Sequence, residues 1–138
     1  MNKLKNFNRI IILIATFGFS TLSSCIVVND PEVEVETKTT VEIVVKDASG
    51  NKSNWTVYQI SNTKFNLYGA DTFFRDQQSV TDSNGLATFE IDKMDFTGGG
   101  QKTYYFFVKY SIGGVSKSKN VGITLSKGDK KSGTLLMN

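Results

Sequence analysis

The sequence predicts an all-β fold, one β-sandwich of seven or eight short strands behind an N-terminal signal peptide. Three observations predict it. From Thr39 onward apolar residues alternate with a period of two. Turn residues recur about every 8–12 positions. No stretch of the chain beyond the signal peptide carries a convincing helical repeat. These observations divide the chain into residues 1–24, a signal peptide, residues 25–38, a tether, and residues 39–138, the sandwich.

The first segment has three zones. Lys3, Lys5 and Arg9 form a basic head without an acid, Ile10 to Phe19 is apolar, and small polar residues run from Ser20 to Ser24. That order is the order of a secretory signal peptide. A helix needs about 20 apolar residues to cross a bilayer, so the apolar run alone is too short. Cys25, the only cysteine of the chain, follows directly.

Leu22-Ser23-Ser24-Cys25 resembles the bacterial lipobox, an aliphatic residue and two small ones before a cysteine. The resemblance implies that a diacylglycerol is attached to the Cys25 sulfur and that the signal peptidase cuts between Ser24 and Cys25. Cys25 then becomes the first residue of the mature protein. Only a thiol forms the thioether, and small side chains let a peptidase close on the backbone. Each buried lipid CH₂ contributes about 0.8 kcal/mol, so stable anchoring takes two or three acyl chains. Two other readings stand beside this one. Ile26-Val27-Val28 extends the apolar stretch and allows an uncleaved signal anchor, although Thr16, Ser20, Thr21, Ser23 and Ser24 weaken it. Cys25 is otherwise an ordinary buried thiol.

Loss of residues 1–24 removes the whole formal charge of +3, because Lys3, Lys5 and Arg9 supply it. The mature chain then carries 13 basic and 13 acidic residues. A neutral chain gives no ground for nucleic-acid binding, which needs a clustered basic face. The charge is unevenly placed, for residues 101–138 hold seven lysines and a single acid, Asp129. There is no histidine, which excludes histidine triads and most zinc sites. With Cys25 lipidated no disulfide forms, so the core must hold the fold unaided.

In the tether, Asn29-Asp30-Pro31 is a break and "EVEVE" alternates, its acids keeping the segment solvated. A dozen extended residues reach roughly 40 Å, enough to lift a domain off lipid headgroups. The first strand places Val41, Ile43 and Val45 on one face. "KDASGNKSN" ends it, and "WTVYQI" is the second strand. "KFNLYG" reads as a third strand with Phe65 and Leu67 on one face, and Phe73-Phe74 is expected to dip into the core.

Asp82-Ser83-Asn84-Gly85 is a turn suited to positive φ at Asn84 or Gly85, and its flanking strands are expected to pair as a hairpin. Ala87, Phe89 and Ile91 share the core face of the strand that follows. "FTGGGQ" reads as a flexible loop. Gly113-Gly114 turns a second hairpin, and "TLLMN" closes the chain as a strand.

The order "VEIVVKDASGN", "KFNLYG", "TDSNGLATFEI", "YYFFVKY" is similar to prealbumin-like sandwich modules, among them carboxypeptidase regulatory-like and Cna-B-type repeats. It covers residues 39–111 and is most specific at 80–91. The resemblance implies a Greek-key sandwich, prealbumin-like or Ig-like, serving as a stalk, spacer or docking module. It carries over no catalytic residue, cofactor or metal ligand. The chain departs from that pattern in the insert "NKSNWTVYQISNT" and in lacking a lysine–asparagine isopeptide pattern.

Motifs that elsewhere carry chemistry are weak here. Ser-x-x-Lys occurs at Ser49–Lys52, Ser61–Lys64 and Ser116–Lys119, without the companion motifs of an acyl-enzyme. Asp82, Asn84, Asp92 and Asp95 offer oxygens to calcium, but no distal glutamate or flanking helices complete an EF-hand. Glu90, Asp92 and Asp95 are the candidate carboxylates for sugar hydrolysis, which needs two of them facing a cleft. The sequons at Asn51 and Asn54 have little force in the bacterial setting that the lipobox resemblance implies.

The aromatics carry more weight. Alternation puts Tyr104, Phe106, Val108 and Tyr110 on one face of their strand, and Tyr105, Phe107 and Lys109 on the other. Either both faces are buried or one shows rings to solvent. Trp55, Tyr58, Tyr105 and Phe107 are thus the candidate ligand-contact rings. The expectation is a non-catalytic lipoprotein of the bacterial cell envelope, at the outer membrane, held by its lipid and engaging an envelope protein or a glycan. Carbohydrate binding through the aromatics is the alternative.

Overall fold

The computed structural model describes residues 37–48 and 54–137. The signal peptide, Ser24 and Cys25, the tether up to residue 36, and Ser49–Lys52 lie outside the described residues.

Among the described residues, seven strands form two sheets. They are β1 (Thr39–Asp47), β2 (Thr56–Ser61), β3 (Gln77–Val80), β4 (Leu86–Ile91), β5 (Lys102–Ile112), β6 (Val115–Leu125) and β7 (Lys130–Met137). One sheet has the order β4-β1-β7 and the other β3-β2-β5-β6. All pairings are antiparallel except β1 with β7. Neighbours so far apart in sequence make this a Greek-key sandwich. Its order departs from the constant-type immunoglobulin arrangement, where the first strand pairs with the second. Here β1 lies between β4 and β7.

The core sits where alternation predicts it. Val41, Ile43 and Val45 of β1 meet Ala87, Phe89 and Ile91 of β4 and Leu135 and Met137 of β7 within one sheet. Val57, Tyr104, Phe106, Val108, Ile123 and Leu125 face them from the other. Phe89 and Phe106 touch edge to face across the layer, with ring centroids 5.0 Å apart. Gly133, opposite Ile43, makes room for the packing: a Cβ there would lie 2.9 Å from Ile123 Cδ1.

Gly113-Gly114 turns the β5–β6 hairpin as expected, with Ile112 opposite Val115. The turn at Asp82–Gly85 has the expected conformation, with φ of 82° at Gly85. Asp82 Oδ1 accepts from the N–H groups of Asn84 (2.8 Å) and Leu86 (2.9 Å). Those bonds hold its carboxyl below the usual aspartate range. The strands flanking this turn do not form the expected hairpin. β3 pairs with β2, while β4 pairs with β1 in the other sheet. Thr81, buried, stays tied to β2, donating its N–H to Trp55 O (2.9 Å) and accepting from Trp55 N at Oγ1 (3.0 Å). The turn is therefore a corner between sheets, and turn chemistry alone does not distinguish a corner from a hairpin.

A second expectation is also corrected. Residues Asn62–Tyr68 form a helix, α1, in place of a strand. Gly69, at φ 64°, ends it and returns its N–H to Phe65 O at 2.8 Å. Ser61-Asn62-Thr63 supplies residues suited to a helix start. Two short 3₁₀ turns follow the same logic. Asp71 caps Thr72–Phe74 by accepting from Phe73 N, and Asp92 caps Lys93–Phe96 by accepting from Met94 N. Gly98, Gly99 and Gly100, all at positive φ, complete the loop into β5.

Candidate functional site

β5 has rings on both faces, and the structure gives each face a different cover. The inner rings, Tyr104 and Phe106, belong to the core between the sheets. The outer face is covered by its own small layer. Tyr58 lies beside Phe107 in the ladder, ring centroids 5.4 Å apart, and Ile60 lies opposite Tyr105. Phe65 of α1 stacks on Tyr105 at 3.9 Å. Ile60 and Phe107 are thereby fully buried.

This layer decides the places of the four candidate rings. Phe107, at 0% exposure, offers no face to a ligand. Tyr58 and Tyr105 are half-buried and stacked on other rings. Trp55 is half-buried against the core cluster. The fold thus gathers Tyr58, Tyr105 and Phe107 into one layer and spends their faces on one another and on Phe65.

The exposed rings lie on a segment where they were not sought. Phe73, past α1, is 81% exposed, and Leu67, in the last turn of α1, is 69% exposed. Neither Phe73 nor Phe74 enters the core. Phe74 is half-buried, stacked on Tyr68 at 3.7 Å, and Phe73 meets it edge-on at 5.1 Å. Asp71 and Thr72 fix this ledge, since Arg75 Nη1 donates to Thr72 O at 2.6 Å while Asp71 caps the turn. Contiguous exposed rings mark interaction surfaces. The signal in the sequence was the pair Leu67-Tyr68 and the pair Phe73-Phe74, separated by Gly69-Ala70-Asp71-Thr72, a density of large apolar residues that no alternation explained.

The weak motifs find structural employment. Lys64 pairs with Asp76, whose Oδ2 also accepts from Ser61 N at 2.7 Å. Ser116 and Lys119, three apart on a strand, face opposite sides. Glu90 pairs with Lys38 at 3.0 Å, in solvent. Asp95 accepts from the Tyr104 hydroxyl at 2.9 Å; burial first, and this bond second, push the phenol above its usual range. Among the described residues, no group of three acidic or cysteine side chains could hold a metal ion. No helix among them is long and apolar enough to cross a membrane.

The chain enters the domain at Thr39, and this end is well tied. Thr40 N donates to Asp129 O (2.9 Å) and Gly128 N to Thr39 Oγ1 (2.7 Å). Asp129 in turn caps its turn by accepting from Ser126 N, which lowers its pKa, with Lys131 3.2 Å away assisting. The β5–β6 tip, with exposed Ile112 and Val115, lies at the opposite end.

No protein-family model matches the chain, and no curated protein matches it. Among solved structures it is similar to the SpaB basal pilin of Lactobacillus rhamnosus GG, with 16% identity and a TM-score of 0.43 over 75% of this chain and 98% of that one.

Proposed function

We propose that this protein is a non-catalytic lipoprotein of the bacterial cell envelope, at the outer membrane, whose sandwich engages an envelope protein. The observation that carries the reading is the order of the first 25 residues: basic head, short apolar run, then Leu22-Ser23-Ser24-Cys25. Acylated Cys25 holds the chain to lipid, and the acidic segment up to residue 38 joins it to β1. The aromatic ledge is the contact surface. Its rings are held by caps and stacking yet left in water, at the cost of exposed apolar area that folding alone does not require.

Glycan binding by Trp55, Tyr58, Tyr105 and Phe107 has less support, because those rings are already stacked or packed. The test has two arms. Wild-type protein is expected in the detergent phase after phase partition, and Cys25→Ser in the aqueous phase or unprocessed. A photo-crosslinking residue at position 73 is expected to give one discrete protein adduct in cells. A smear equal to that from position 46, on the exposed face of β1, would overturn the ledge as contact surface.

A further inference from the structure

The end strands of the two sheets are finished differently. Around the Asp82–Gly85 corner, outward backbone groups of β4 are taken up. Gln77 Nε2 donates to Glu90 O at 3.0 Å, Asp82 N to Leu86 O at 3.0 Å, and Leu86 N to Asp82 Oδ1 at 2.9 Å. β3, beside it, is only four residues long. β6 is an end strand of eleven residues, paired with β5 alone. Gly113 and Gly114, at φ 58° and 79°, make a two-residue turn, so Ile112 and Val115 bond to one another across it. Alternation then turns the N–H and C=O groups of Ser116, Ser118, Asn120 and Gly122 away from β5. The next outward carbonyl is closed, for Lys131 Nζ donates to Thr124 O at 2.6 Å. The backbone groups of those four residues have no partner among the described residues, and all four residues are exposed.

Charge of one sign follows the same stretch. Lys117 and Lys119 share one face of β6, and Lys109 lies opposite Ser118 on the other face. Among the described residues no acid pairs with any of these three lysines. An open edge is a template for a further strand, and lysines along it repel a second edge that carries lysines. They attract an acidic one, because opposite charges side by side on a strand pair stabilise the pairing and like charges weaken it.

We infer that the β6 edge from Ser116 to Gly122 receives an extended segment of a partner protein, with an acid at every second residue and β-branched residues between. The segment's backbone bonds to the outward groups of β6, and its acids, all on one face, lie beside Lys117 and Lys119. A second copy fits this edge badly, since β6 against β6 gathers the lysines of both chains. An anionic lipid surface would suit the lysines and the exposed Ile112 and Val115, but it offers no alternating row of donors and acceptors. The inference goes beyond the anchored-module reading and does not rest on it, because neither the lipid nor the aromatic ledge takes part.

The experiment measures fluorescence anisotropy of labelled, end-blocked octapeptides with the full-length protein in detergent. The first peptide is Thr-Glu-Val-Glu-Val-Glu-Val-Thr, the second has lysine for each glutamate, and the third is the first with every backbone nitrogen methylated. The acidic peptide is expected to bind, and each of the others about tenfold more weakly or worse. Lys117→Glu combined with Lys119→Glu is expected to reverse the preference between the first two peptides. Lys46→Glu, on the exposed face of β1, is expected to leave it unchanged. The comparison of the first and third peptides on wild-type protein stands whether or not the charge-reversed variant folds. The inference is overturned if the acidic peptide does not bind, or if the methylated one binds as well, since charge alone would then explain it. A folded double variant with unchanged preference would also overturn it. Binding seen only once Glu32 and Glu34 are changed to glutamine would give the edge to the chain's own acids in place of a partner. Tight binding to phosphatidylglycerol vesicles without peptide binding would give the hairpin to lipid. Either result would overturn the partner strand.

Discussion

The two faces of β5 carry the same kinds of residue and live under different covers. Inside, Tyr104, Phe106 and Val108 are locked between two sheets that share one core. Outside, Tyr105 and Phe107 are covered by a seven-residue helix and one neighbouring ring. The inner cover is a whole sheet joined by many strand hydrogen bonds. The outer cover is a single element between β2 and a ring ledge. The difference teaches that a strand with rings on both faces is buried twice, by partners of unequal strength. The weaker cover is also the one that leaves aromatic surface exposed beyond it.

Substitutions can break or sharpen this contrast. Phe106→Ala should be the most damaging, at about 3–5 kcal/mol, as for a large ring removed from a packed core. Urea unfolding would measure it. Phe65→Ala, on the outer cover, should cost only about 1–2 kcal/mol, since half of a ring's burial is lost together with one stack. It should also raise dye binding to newly exposed Tyr105 and Phe107. Equal losses from the two variants would mean the outer layer is as integral as the core.

The glycines test the same contrast from the opposite direction. A Cβ at Gly133 would press on Ile123 Cδ1 at 2.9 Å and Ile43 Cδ1 at 3.2 Å, both inside the core. A Cβ at Gly122 would have the Tyr105 ring as its nearest neighbour, at 3.0 Å, on the outer face. Gly133→Ala should therefore lower stability by about 1 kcal/mol or more. Gly122→Ala should come closer to neutral, because the ring can yield and the strand gains from losing a glycine. Thermal melts of the pair would rank them.

The smallest effect belongs to neither face. Asp82 has its pKa lowered in the fold, by the backbone N–H groups of Leu86 and Asn84 above all. A lowered folded pKa contributes stability above the unfolded carboxyl pKa and loses it as pH falls through the folded one. Asp129 behaves alike through Ser126 N first and Lys131 second. Stability should thus decline on acidification below about pH 4, where free aspartates begin to protonate. Asp82→Asn should flatten that decline, as denaturation followed from pH 6 down to pH 3 would show.

Much of the inner layer was legible in the sequence. The period of two in β1 and β4 named Val41, Ile43, Val45, Ala87, Phe89 and Ile91, and all six are buried. Gly113-Gly114 named its hairpin because the two glycines stand between strands that alternate on both sides. The outer layer was not legible. α1 is too short to display a helical period, and Phe65 and Leu67 two apart imitate a strand. The bracket of Ser61 and Gly69 was the available signal, yet those residues serve equally well as turns. Strand order was likewise hidden. Asp82–Gly85 has one local geometry whether its strands pair with each other or part to different sheets.

The anchoring of this sandwich is open to one direct measurement, the intact mass of the protein extracted from membranes. The account requires a polypeptide that begins at Cys25 and carries a diacylglycerol adduct, with a further acyl chain where the new amino terminus is modified. A mass corresponding to a chain that still starts at Met1, or to one without fatty acyl groups, would contradict it.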